Sequence, residues 1–331
     1  MNTCNNKRRF GVELELNAFD GRNRPLGYEF GKLPEGIYYI ASLVQKVVKD
    51  KVFVQKWGNN HNNDSWILKP DSSCGIEICT PVLKGIQGTK QVCSVVDVFS
   101  KDKNIKADNR CSFHVHVDVH DLSQEQIASV ITWWIKCEYV FLNMVPINRK
   151  KNKYCQIVSL SNVVGGIEYP MMGSNTLINS IGNHKYYSLN TYHLLNNKRQ
   201  TIEFRIMDSS SCLNYFDAKN YILFLLHFVN ITSKLPKPRN YEKNNQMTGY
   251  AWLDFKSVMN LLNFYDEENI SFGLKEVKNW LFMRMKQNIF YDIDGIFGKK
   301  FKEHQYEDLL SLDKNNIALF NNKFLEDKFL E

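Results

Sequence analysis

The residues most able to do chemistry fall in four short stretches, each with one polar side chain at every second position. In Phe10-Gly11-Val12-Glu13-Leu14-Glu15-Leu16 the aliphatic residues share one face of a strand, and Glu13 and Glu15 share the other. Two carboxylates at i and i+2 stand about 7 Å apart. The pattern returns at Ser112-Phe113-His114-Val115-His116-Val117-Asp118-Val119-His120, where the imidazoles and Asp118 oppose the aliphatics. It returns again at Thr201-Ile202-Glu203-Phe204-Arg205-Ile206, and more weakly at Gly75-Ile76-Glu77-Ile78-Cys79 before Thr80-Pro81. One such strand alone reads as an amphipathic edge with its polar face in water. Four of them carrying Glu and His rather than Lys, Thr or Gln read differently. If the faces converge, at least three carboxylates meet in a confined space and repel. Divalent cations resolve that repulsion, since carboxylate oxygen and imidazole nitrogen both suit Mg2+ or Mn2+. An arginine on the same face as Glu203 then calls for an anion, and a metal-bound phosphate fits.

The elements that must position these groups follow from periodicity. Strands are expected at Phe10–Phe19, Trp66–Leu68, Gly75–Cys79, Cys111–Val119, Tyr186–Tyr192 and Gln200–Met207. Helices are expected at Ile37–Val48, Thr89–Phe99 and Ser123–Met144, the last opening on a capping box with Gln126 three after Ser123. Trp133-Trp134 and the Tyr221–Phe228 run have helical spacing in apolar surroundings and read as core. Strands alternating with helices predict an α+β fold. Between strands, Lys69-Pro70-Asp71-Ser72-Ser73-Cys74-Gly75 reads as a turn presenting Asp71. Asn148–Lys153 reads as a solvated basic loop, and the glycine-, serine- and asparagine-rich stretch from Gly165 to Gly182 as a mobile segment near a site. Lys234–Asn245 reads as a linker. Helical spacing then resumes at Ala251–Leu262 and Leu274–Met285, followed by a charged, mostly helical tail. The expected organisation is a catalytic domain over 8–235, a linker over 236–249 and a helical region over 250–331.

With 331 residues, 44% hydrophobic and 23% charged, the chain is neither disordered, collagen-like nor a disulfide-stapled miniprotein. A net charge of +7 is compatible with anionic ligands without requiring nucleic acid. The eight cysteines are scattered singly, with no Cys-x-x-Cys pair and no zinc-module spacing. Met1–Arg9 is polar and basic, which argues against a signal peptide, and Tyr221–Ile231 is too short to cross a bilayer. Reduced thiols in a cytoplasmic protein are expected.

Taken in order, Phe-Gly-Val-Glu-Leu-Glu at 10–15, Lys-Pro-Asp-Ser-Ser-Cys-Gly-Ile-Glu-Ile-Cys-Thr-Pro at 69–81, His-Val-His-Val at 114–117 and Thr-Ile-Glu-Phe-Arg at 201–205 resemble the amidoligase family. That family is a branch of the carboxylate–amine ligases related to glutamine synthetase and γ-glutamylcysteine synthetase. The likeness covers roughly residues 8 to 235. It implies a glutamine-synthetase-like catalytic domain, in which a curved, mainly antiparallel sheet forms a polar-lined funnel with helices outside. It also implies ATP-dependent amide-bond formation through an acyl-phosphate, with Mg2+ or Mn2+, joining an amino-acid or peptide carboxylate to an amine acceptor. By that likeness Glu13, Glu15, Glu77, His114 and Glu203 would hold metal. His116 would touch nucleotide, Arg205 the transferred phosphoryl group and Lys185 a phosphate, while Asp71 would face the amine or the substrate carboxylate. Cys111-Ser112-Phe113 departs from the glycine common in the family just before His-x-His.

Two other enzymes share parts of the pattern. A cupin-like metal enzyme also carries His-x-His on a strand but needs a further histidine, for which His184 and His193 are available outside any such motif. A zinc hydrolase would use His114, His116, Asp118 and His120, unless Asp118 and His120 already lie in the turn before Ser123. A nucleic-acid-binding module, suggested by Lys7-Arg8-Arg9 and the basic loop, is the alternative of another class.

Overall fold

The computed structural model describes residues 7–18, 33, 36–56, 64–108, 110–150, 152–158, 173–195, 199–238, 255–264 and 272–288. Residues 165–172, most of the expected linker and the charged tail lie outside these. The protein is a mixed α+β structure built on one nine-stranded sheet. Its strands are β1 (Arg9–Ala18), β2 (Val52–Val54), β3 (Trp66–Asp71), β4 (Gly75–Cys79), β5 (Leu83–Lys84), β6 (Ile105–Lys106), β7 (Phe113–Asp118), β8 (Leu189–Asn190) and β9 (Thr201–Phe204). The main path runs β2-β3-β4-β1-β7-β9-β8, with β5 and β6 pairing the two ends of β1. All the pairings are antiparallel except β2 with β3.

Register decides which side chains meet. Glu13 lies opposite His114 on one side and Cys79 on the other, while Glu15 lies opposite Glu77. His116 faces Glu203, and Glu203 faces Asn190. Because every one of these pairs is on the same face, the opposite face is left to Val12, Leu14, Ile76, Ile78, Val115, Ile202 and Phe204, all buried. That apolar face is covered by α1 (Gly36–Val47), α2 (Gly85–Lys101), α3 (Gln124–Leu142) and a helix over Tyr215–Thr232. Trp134 of α3 is the hub of the packing, its ring 4.8 Å from Phe141 and 4.8 Å from Phe204. The expected capping box at Ser123 is present, with Gln126 N donating to the Ser123 hydroxyl and Gln126 Oε1 accepting from Ser123 N.

Between β3 and β4 the chain reverses at Gly75, whose φ of +118° suits glycine. A Cβ there would come within 2.9 Å of Asn17 Oδ1. Asp71 builds the same turn, its Oδ1 accepting from Ser73 N at 2.7 Å and Cys74 N at 3.2 Å. The strand expected at Tyr186–Tyr192 is only Leu189–Asn190, because Asn190 Oδ1 accepts from Tyr192 N at 3.0 Å and starts a short helix, Tyr192–Leu195. C-terminal helices at Phe255–Leu261 and Phe272–Asn288 join the same apolar cluster. There Trp280 Nε1 donates to Asp217 Oδ1 at 2.7 Å, and Arg284 Nε to Met144 O at 2.9 Å.

The basic stretch after Asn148 is solvated only in part, since Lys153 is exposed in a turn while Arg149 and Lys150 are buried. Ile147–Lys150 is a helical turn in which Arg149 is 1% exposed and Lys150 is 4% exposed. Arg149 donates to Arg205 O at 2.6 Å, Ser112 Oγ at 3.1 Å and Ile206 O at 3.3 Å. It ties the residue before β7 to the residues after β9. Arg149→Met leaves those acceptors buried without a donor and is expected to cost about 3 kcal/mol of stability, measured by urea unfolding. A loss under about 0.5 kcal/mol would show that the tie is dispensable.

Candidate active site

The polar face gathers side chains from residues far apart in sequence into one buried cluster. His114 Nδ1 lies 3.4 Å from Glu13 Oε2 and 3.3 Å from Glu203 Oε1. His116 Nε2 lies 3.3 Å from Glu13 Oε1 and 3.9 Å from Glu203 Oε1. Glu203 receives the Arg205 guanidinium on Oε1 and Asn190 Nδ2 on Oε2, the latter at 2.6 Å. On the other flank Glu15 Oε2 accepts from Ser112 N at 2.6 Å. Here the departure from the family glycine is accommodated: the Ser112 backbone donor serves Glu15 while its hydroxyl meets Arg149.

Glu77 has two partners, one of them on a strand outside the four motif strands. The ammonium of Lys69, one strand over on β3, stands 2.8 Å from Glu77 Oε1, and the Cys79 thiol donates to the same oxygen at 3.0 Å. The polar face as a whole therefore carries a lysine. Lys69 alternates with the buried Leu68 and pairs in register with Glu77.

Electrostatics separates the carboxylates into two kinds. Burial pushes Glu13 up, but His116 and His114 outweigh it and hold its carboxyl well below the usual range. Glu203 is likewise opposed by burial and pulled down to about 2, chiefly by Arg205 and then by His116 and His114. Glu15 goes the other way, raised to about 8 by burial and by the neighbouring charges of Asp71 and Glu77. Glu77 is raised too, by burial first and then by Glu13, against the pull of Lys69. His114 falls to about 4 through burial and Arg205, which leaves a neutral imidazole able to act as a ligand.

Among the described residues, three groups have ligand atoms within 4.8 Å of one another: Glu13–His114–Glu203, Glu13–Glu77–Cys79 and His116–His193–Glu203. Buried ring nitrogens without hydrogen-bond partners, His114 Nε2 and both nitrogens of His116, sit among them. Unsatisfied buried donors beside carboxylates fit a divalent cation, and this donor set suits Mg2+ or Mn2+. The cluster thus brings together Glu13, Glu77, His114, His116, Glu203 and Arg205, with Glu15 one register step along β1. Asp71 lies close enough to raise Glu15, while its Oδ1 is engaged by its own turn. Lys185 stays outside, exposed, with its ammonium 5.1 Å from the centre of the Tyr186 ring. His193, on the Tyr192–Leu195 turn, is a group the strand pattern passed over, because it lies on no strand.

The rival constellations come apart. Asp118 accepts from Arg9 Nε at 2.7 Å and contacts His120 Nδ1 at 2.8 Å, away from His114 and His116 in all three groups. Arg8 pairs with Asp121 at 2.8 Å, so the N-terminal basic residues are engaged by carboxylates of their own chain. A single sheet with helices on its apolar face also differs from the double-sheet jelly roll of cupins.

A family model described as "Putative amidoligase enzyme" matches residues 6–229, which contain every strand of the sheet. The chain belongs to the amidoligase family. No curated protein matches it. Among solved structures it is similar to a bifunctional glutathione synthetase from Pasteurella multocida, with 11% identity over 92% of this chain and 52% of that one, at a TM-score of 0.43. It is similar also to a glutamate–cysteine ligase from Francisella tularensis in complex with AMP, with 10% identity over 96% of this chain and 85% of that one, at a TM-score of 0.43. The chain spans about half the length of the Pasteurella multocida structure. Among the described residues, no helix is long and apolar enough to cross a membrane.

The raised carboxyl of Glu15 has a consequence for protons. A carboxyl whose pKa is about 8 holds its proton at pH 7, and a cation that Glu15 came to ligate would have to displace it. Adding saturating Mn2+ at pH 7 in weak buffer is expected to release about one proton per chain from Glu15. Release should fade by pH 9 and be lost in Glu15→Gln. In the metal-free protein the sign is the reverse of the usual carboxylate. Folded Glu15 binds more protons than the unfolded chain between 4.5 and about 8, so stability falls as pH rises through that window. Proton release that Glu15→Gln leaves unchanged would assign it elsewhere.

Proposed function

We propose that this protein is an ATP-dependent carboxylate–amine ligase. The convergence of Glu13, Glu77, His114 and Glu203 from four adjacent strands beside Arg205 carries that reading. Divalent ions held by Glu13, Glu15, Glu77, His114 and Glu203 would neutralise phosphate and substrate carboxylate charge. His116 would contact the nucleotide, and Asp71, at the β3–β4 turn, would face the amine or the substrate carboxylate. Lys185 would reach a phosphate only by leaving its place over Tyr186. The polar face of the sheet would line the funnel that admits both substrates, within a catalytic unit spanning about residues 8–235.

The reaction has two steps. A substrate carboxylate oxygen attacks the γ-phosphorus of ATP, ADP leaves, and an acyl-phosphate forms. The amine nitrogen then attacks the acyl carbon, inorganic phosphate departs, and the amine gives up a proton. Arg205 is built for the first step. Its backbone N donates to Ser188 O at 2.7 Å, its carbonyl is gripped by Arg149, and its Nε reaches Tyr154 O at 3.3 Å. Held this way, the guanidinium presents fixed positive charge where phosphoryl charge develops. Neutral, buried His114 adds no competing positive charge.

The test is a screen of amino acids and short peptides, paired with amines, for release of ADP and phosphate. Release is expected only when both a carboxylate and an amine are present, with carboxylate 18O appearing in the phosphate. Carboxylate-independent hydrolysis, or formation of AMP and pyrophosphate, would contradict the proposal.

A further inference from the structure

We infer that His116, His193 and Glu203 form a nitrogen-rich cation seat, distinct in hardness from the Glu13–His114–Glu203 seat with which it shares Glu203. The inference builds on the cation cluster of the proposed ligase, and in it His116 would meet the nucleotide through this cation rather than directly. One ligand atom from each of the three residues lies within 4.8 Å of the others. The rings of His116 and His193 have centroids 5.2 Å apart at 59°, tilted rather than stacked. His116 is 3% exposed, and neither of its ring nitrogens makes a hydrogen bond; Nε2 lies 3.3 Å from Glu13 Oε1 without the required alignment. His193 Nδ1 is likewise buried without a partner. Two imidazoles left unsatisfied beside a shared carboxylate lack a third component, and a cation supplies it.

The chain holds His193 in place through the same residue that orients Glu203. Asn190 donates to Glu203 Oε2 at 2.6 Å and accepts from Tyr192 N at 3.0 Å, which starts the turn carrying His193. Thr191 anchors that turn by donating to Ile178 O at 2.6 Å. One asparagine thus sets both a ligand and the helical turn bearing the next, the outer-shell arrangement expected of a built metal site.

Two nitrogens and one carboxylate favour a borderline transition ion over Mg2+, whereas the neighbouring seat, with two carboxylates and one imidazole, is harder. The expected occupant is a first-row transition ion such as Fe2+ or Zn2+, and Mn2+, which takes imidazole more readily than Mg2+ does, serves as the probe. The test is direct Mn2+ and Mg2+ binding to the purified full chain, without nucleotide or substrate, read by electron paramagnetic resonance of free Mn2+ and by Mg2+ competition. His193→Ala is expected to weaken Mn2+ binding about tenfold or more while changing Mg2+ affinity less than about twofold. His193→Asp, which replaces nitrogen with oxygen, is expected to lower the Mn2+/Mg2+ preference while retaining both ions. An unchanged Mn2+ isotherm in His193→Ala, an equal loss for both metals, or an unchanged preference in His193→Asp would overturn the inference. A failed ligase screen leaves these binding results untouched, so the two readings fail separately.

Discussion

Arg205→Ala is expected to lower kcat by about 10³-fold or more, with a much smaller change in KM. The reason is placement. Ser188 and Arg149 fix the backbone of Arg205, and Tyr154 O and the Glu203 carboxylate hold its guanidinium, so its charge would already be in position when phosphoryl transfer begins. Arg205→Lys should recover little, because a flexible ammonium cannot reproduce a planar fork held at several points. The substitution has a second effect on the ground state. Arg205 is the largest of the influences drawing Glu203 down to about 2 against burial, so its loss raises the Glu203 carboxyl and weakens cation binding. Mn2+ affinity and steady-state kinetics measured on the same variant separate the two effects. A variant retaining more than about a tenth of kcat would remove Arg205 from the transfer step.

Glu203→Gln is expected to abolish turnover and to weaken divalent-cation binding by at least about 100-fold, since this carboxylate belongs to two of the three candidate cation groups. Without metal it should also destabilise the protein, because it leaves Arg205 buried beside a neutral amide. Breaking a buried pair in this way costs about 3–5 kcal/mol, towards the lower end here because Arg205 is 12% exposed. The pH dependence fixes the sign. A carboxyl depressed from 4.5 to about 2 stabilises the fold above its unfolded value and loses that contribution as pH falls towards 2. The stability gap between wild type and Glu203→Gln should therefore be full at pH 7 and shrink below pH 4.5. A gap independent of pH would mean that the ion pair does not form.

Much of the site was readable because strand alternation is a strict rule. Glu13, Glu15, His114, His116 and Glu203 lie on one face because their aliphatic neighbours must lie on the other, and register then brings Glu13 against His114 and His116 against Glu203. What periodicity could not give is anything set by three-dimensional closure. Arg149 and Lys150 sit in a run of basic and polar residues that looks solvated, yet both are buried, and Arg149 supplies donors to the backbone carbonyls that follow β9. His193 follows a two-residue strand too short to show a period, so only the turn set by Asn190 brings it to His116. Asp71 was legible as a turn former, and its carboxylate does hold that turn. Lys69 was masked by its neighbour Pro70, which draws attention to the turn rather than to the strand before it.

The central claim is that Glu13, Glu77 and Glu203 share cations within reach of Arg205. A crystal structure with Mn2+ and a non-hydrolysable ATP analogue, examined by manganese anomalous scattering, tests it most directly. Anomalous peaks between β4, β1, β7 and β9, with the γ-phosphate beside the Arg205 guanidinium, are predicted. Nucleotide bound elsewhere, or no manganese on any of these three glutamates, would contradict it.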